Sequence, residues 1–81
     1  MWHEGTISIP TEDGKTVMCK YWVKAYDEGS VYGINEGRIS KLTIKIGNKV
    51  TANYDREWDI KPAETDKATQ IAYSILLNDY N

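Results

Sequence analysis

YGINEGRISKLTIKIGNKVTANYDREW, residues 32–58, is the stretch on which the fold turns. From Ser40 to Ile46, Leu42, Ile44 and Ile46 point one way, and Lys41, Thr43 and Lys45 the other. A strict period of two marks a strand with one buried face. Gly47-Asn48 follows, a pair that tolerates the positive φ of a tight hairpin. The return strand places Val50, Ala52 and Tyr54 on one side, with Thr51, Asn53 and Asp55 on the other. Both strands are expected to offer their apolar stripe to one core.

Outward from this hairpin, Gly5–Pro10 reads as a first strand, with Ile7 and Ile9 inward and Pro10 ending it for want of an N–H. Asp13-Gly14 signals a turn. Thr16–Tyr26 returns with Val17, Cys19, Tyr21, Val23 and Ala25 on one face. The other face holds Met18, Lys20, Trp22, Lys24 and Tyr26, which is not plainly polar. Asp27–Arg38 is a loop with three glycines. Asp59–Ala63 leaves the sheet, and Pro62 suits a first helical position. From about Glu64 the spacing becomes three and four: Ala68, Ile71, Ala72 and Ile75 form a stripe flanked by Leu76. Thr65 and Asp66 are both fit to cap this helix. The expectation is an α+β fold over residues 1–81: a four-stranded antiparallel sheet of two hairpins with one C-terminal helix on one face (ββββα).

Composition narrows the function. Eighty-one residues, 41% of them hydrophobic, make one small domain near the lower limit of independent folding. Ten basic and twelve acidic residues leave a net charge of −2, which speaks against general nucleic-acid binding. One cysteine, Cys19, and one histidine, His3, exclude an internal disulfide and a Cys/His zinc site within the chain. No signal-peptide pattern and no membrane-length apolar run are present, so a cytoplasmic protein without membrane association is expected. No cofactor motif is found.

Three surfaces stand out. Met18, Trp22, Tyr26 and Ile39, with Trp2 beside them, are expected opposite the helix as an interface, most simply of a homodimer; the plain alternative is a sheet that curls over its own end. The loop through Tyr32, Gly33, Asn35, Gly37 and Arg38 has residues whose backbone N–H groups can converge on an anion and an arginine fork to pair with it. An ordinary long connection is the competing reading, because no phosphate-loop or dinucleotide motif is present. Asp55, Glu57 and Asp59 share a face if the strand continues, yet Arg56 neutralises them and a salt-bridged strand end is favoured over a cation site. Arg56 and Arg38 are expected to act with Trp58 as a stacking and anion-binding group. Nucleophilic catalysis has little footing: Cys19 lies mid-strand on the core face and His3 near a frayed terminus.

Met1-Trp2-His3-Glu4-Gly5, Tyr32-Gly33-Ile34-Asn35 with Gly37-Arg38-Ile39-Ser40-Lys41-Leu42, and Asn53-Tyr54-Asp55-Arg56 with Trp58-Asp59 carry a resemblance over nearly the full length. The chain is similar to small proteins of unknown function encoded by Gram-positive bacteria and, in part, by their phages and mobile elements. The resemblance implies an accessory role, such as a counter-defence factor that binds a host protein or sequesters a nucleotide signal. The expected function is therefore a non-enzymatic binding module acting through protein contact. The alternative is sequestration of a small phosphorylated or nucleotide ligand by the Gly-rich loop with Arg56 and Trp58.

Overall fold

The computed structural model describes residues 1–81. Its sheet has five antiparallel strands in simple sequential order: β1 (Trp2–Pro10), β2 (Thr16–Ala25), β3 (Ile39–Ile46), β4 (Lys49–Asp55) and β5 (Trp58–Ile60). Helix α1 (Lys67–Tyr80) follows and lies over β1, β2 and β3. The expected α+β architecture is present, with one strand more than the four expected. The fifth arises at Arg56, whose φ of 66° turns the chain back so that Trp58 pairs with Tyr54. That reversal also breaks up the carboxylate row expected on a continuing strand. Asp59 instead accepts a hydrogen bond from the Asn53 side chain, at 3.3 Å.

The first strand begins earlier than Gly5. Trp2 pairs with Lys24 and His3 with Val23, and the His3 ring stacks on Tyr80 at 4.5 Å, so this end is held in the sheet. Gly5 lets the Tyr21 ring lie close over the strand, since a Cβ there would press on the phenol and make it shift. Pro10 sits on an edge strand, where its missing N–H breaks no ladder.

Two bulges change which residues face the core. Lys24 pairs with Lys41 but Ala25 pairs with Ile39, leaving Ser40 as the extra residue. Ile39 is thereby turned under the helix and fully buried, so it does not belong to the open-face interface. On β4, Ile44 pairs with Ala52 but Lys45 with Val50. Val50 therefore lies on the open side, against expectation. Thr51, the extra residue, reaches the helix instead, its hydroxyl 2.8 Å from that of Thr69.

The core is built from Ile9, Cys19, Val23, Ile34, Ile39, Leu42, Ile44, Ala52, Tyr54, Ala72 and Leu76. The helix starts at Lys67, five residues after Pro62, and its cap is Asp66, which accepts from the Thr69 N–H at 3.1 Å. Its buried residues are Thr69, Ala72 and Leu76. Ile71 and Ile75 remain exposed, so the helix is rotated from the expected stripe. Thr69 is tolerated inside because its hydroxyl lies 2.6 Å from the Asp66 carboxylate as well as against Thr51.

Candidate functional site

At one end of the open sheet face, Lys24, Tyr26, Ser30, Tyr32, Ser40, Lys41 and Arg56 line a cleft of about 240 Å³. Register assembles it. Lys24 and Lys41 are cross-strand partners, Tyr26 continues β2, and the Arg56 N–H bonds the Ser40 carbonyl at 3.2 Å. Tyr54 fastens the two remaining parts: its buried hydroxyl donates to the Tyr32 carbonyl at 2.8 Å, with the Arg56 carbonyl at 3.3 Å. This sets the Arg56 guanidinium 5.8 Å from the Tyr32 ring centre. The cleft thus offers three cations, two phenol rings and two hydroxyl groups. Asp55, 3.9 Å from Lys41, is the one carboxylate paired with any of those cations. The Lys24 ammonium beside the Tyr26 hydroxyl holds that phenol below the usual tyrosine range.

Of the residues read from sequence, Tyr32 and Arg56 come together here, and Tyr26 joins them from the expected interface. Trp58 does not. It packs edge-on between Tyr54 and Tyr73, at 5.1 and 5.4 Å, on the helix side of the sheet. Arg38 is exposed and outside the cleft, and its carbonyl binds the Tyr26 N–H at 3.0 Å. Lys24, Lys41 and Ser40 were missed. The alternating lysines mark only a solvent face, and strand register, which brings them together, is not written locally.

The glycine loop is a plug rather than an anion cradle. Ile34 is buried at the end of the core, within a short 3-10 turn of Ile34–Glu36. The Asn81 carboxamide clamps the loop, accepting from the Ile39 N–H at 2.9 Å and donating to the Ile34 carbonyl at 3.1 Å. Other loop amides are used internally: Gly33 to Ser30, Glu36 to Gly33 and Gly37 to Ile34. Gly33 and Gly37 have negative φ; the positive values fall on Asn35 (52°) and Glu36 (58°). Glycine is needed instead for close approach, since a Cβ on Gly37 would overlap Asn81 and one on Gly33 the Gly37 carbonyl.

Elsewhere the chemistry is muted. Cys19 is buried, and burial pushes its thiol up. No group of three or more His, Cys, Asp or Glu side chains is placed to hold a metal ion. A larger hollow of about 560 Å³ lies between the β1–β2 turn and the helix start, lined by Ile9, Val17, Ala68 and Ile71 with the turn's mixed charges. It gathers no set of like charges or rings. No helix is long and apolar enough to cross a membrane.

No curated protein and no solved structure matches the chain. The family model of the domain of unknown function DUF7678 matches residues 1–81, and the chain belongs to that family.

Proposed function

We propose that this chain is a non-enzymatic binding module that takes a small phosphorylated ligand, of the nucleotide class, in the cleft between Tyr26, Tyr32 and Arg56. The observation that carries this reading is the convergence of Lys24, Lys41 and Arg56 with two phenol rings in one hollow. Ammonium and guanidinium groups pair with phosphate, and the rings supply faces for a base. The buried, unactivated Cys19 and a His3 engaged by Tyr80 support a binding role over catalysis. The phage and Gram-positive setting implied by the resemblance suits a protein that sequesters a nucleotide signal.

Titration calorimetry with a panel of mononucleotides tests the reading. The expected result is saturable binding that Arg56→Ala weakens by about tenfold or more, the loss of one charge-assisted contact. Binding that is absent, or indifferent to Arg56→Ala, overturns it. A second reading is favoured by the exposure of Trp2 (57%), Met18 (54%) and Tyr26 (50%): a protein contact over the open face, including a homodimer. Light scattering that shows a dimer, with Met18→Glu dissociating it, would favour that reading.

A further inference from the structure

The open face carries a cost that stability does not explain. Lys20 stands directly opposite Lys45, and Lys24 opposite Lys41. Like charges paired across strands destabilise a sheet, and of these four only Lys41 has a carboxylate partner. The β2 lysines lie over rings instead: Lys20 over Trp22 at 5.2 Å, and Lys24 over Trp2 at 5.8 Å and Tyr26 at 5.5 Å. Trp22, opposite Thr43, sits between the two lysine rows. Same-face residues along a strand repeat every ~6.8 Å, a step that an extended polynucleotide backbone can follow.

Charge selects the occupant. A second copy laid face to face would set the four lysines against their own counterparts. An apolar peptide would strip them of water and return no partner. A chain of phosphates carrying unstacked bases meets both needs, with pairing for the ammonium groups and rings for the bases to stack on. We propose that the open sheet face is a track for single-stranded nucleic acid, with Lys20, Lys24, Lys41 and Lys45 on the phosphates and Trp22, Trp2 and Tyr26 under the bases. The net charge of −2 averages over the whole molecule. The carboxylates of this face, Glu4, Asp55 and Asp59, lie on the flanking strands β1, β4 and β5, leaving β2 and β3 uniformly basic. The inference rests on the cleft reading for one terminal subsite, where Lys24, Lys41 and Tyr26 are shared; the Lys20–Lys45 pair and Trp22 stand apart from it.

Fluorescence anisotropy with a short labelled oligo-dT tests the track, alongside the mononucleotide titration. The expected result is binding that weakens about 50-fold between about 50 and 200 mM salt, for four phosphate contacts on a single strand. Lys20→Gln with Lys45→Gln should lower the salt slope by about 1.4 and leave mononucleotide binding unchanged. Trp22→Ala should cost about tenfold, and a duplex, whose bases are hidden, should bind more weakly. Circular dichroism checks that the variants fold, and the lysine pair, at the surface, keeps the test open if Trp22→Ala does not. Absence of oligo-dT binding at low salt, equal binding of the duplex, or indifference to the lysine pair overturns the track. Mononucleotide binding with oligo-dT no tighter overturns it while sparing the cleft. Oligo-dT binding that depends on the lysine pair, without mononucleotide binding, does the reverse.

Discussion

Beneath the helix, Val23, Leu42, Ile44 and Ala52 lose all contact with solvent, whereas their sequence neighbours Trp22, Lys24, Lys41 and Thr43 remain partly exposed on the other side. The two faces share every backbone hydrogen bond and differ only in what their side chains do. One face is apolar, closely shielded and sealed at its end by Ile34 and Asn81. The other sets rings beside unneutralised lysines, an arrangement that burial energy does not ask for. Such a division teaches that the stability of the helix-side face and the recognition proposed for the open face are separable, and that substitutions should separate them.

The widest separation is expected between adjacent residues. Leu42→Ala empties a fully buried site and should cost about 2–5 kcal/mol. In a domain of this size that lowers the thermal midpoint by about 10 °C or more. Thr43 bonds the Asn53 side chain at 3.0 Å on the open face, and Thr43→Val should cost about 1 kcal/mol or less. Calorimetric melting of both variants checks the contrast; equal losses would mean that the open face is also covered in the folded protein.

Next in size is Asn81→Ala. It leaves the Ile39 N–H without its acceptor in a part-buried place, at a cost of about 1–3 kcal/mol. Amide exchange at Ile39 should quicken while that of Ile44, deep in the β-ladder, keeps its protection relative to global stability. Because Ser30 and Tyr32 ride on the same loop, ligand affinity should fall together with Ile39 protection. A stability loss with affinity unchanged would show that the plug serves the core face alone.

How much of this was legible depends on whether the signal was local. The period of two through Leu42, Ile44 and Ile46 reports a core face directly, and β2, β3 and β4 follow from it. Bulges do not announce themselves: Ile39 and Ser40 are both buried, and only the shifted pairing of Ala25 tells why. Arg56 holds a positive φ without being glycine, so the turn into β5 left no mark in the residue types. The helix phase misled because Thr69 is polar yet satisfied inside, while Ile71 and Ile75 are apolar yet outside. In the loop, the glycines were visible but their reason was not, since close approach depends on Asn81, far along the chain. Tyr32 and Arg56 were readable as candidates, and the fold does bring them to one cleft. The lysines that share their cleft, Lys24 and Lys41, were brought there by register.

The smallest expected effect sharpens the comparison most, because the tyrosines of the two sides are shifted in opposite directions. Burial raises Tyr54 and Tyr73 on the helix side, whereas Lys24 lowers Tyr26 on the open side. For Tyr54 and Tyr73 the folded state holds its proton more tightly than the unfolded chain, whose phenols titrate near about 10. Their contribution to stability is therefore whole below that pH and is lost as pH rises through the folded values. Tyr26 has the opposite sign: it favours the folded state only once it is ionised. In a phenolate-absorbance titration, Tyr26→Phe should remove the earliest component and Tyr54→Phe a late one. Ionised Tyr26 also places a negative charge beside Lys24, so anion binding in the cleft should weaken as pH rises through that first component. Tyr26→Phe should flatten this part of the binding profile. A first component that survives Tyr26→Phe would mean that Lys24 is drawn away from the phenol in solution, and the cleft would lose the arrangement on which its affinity for phosphate is argued.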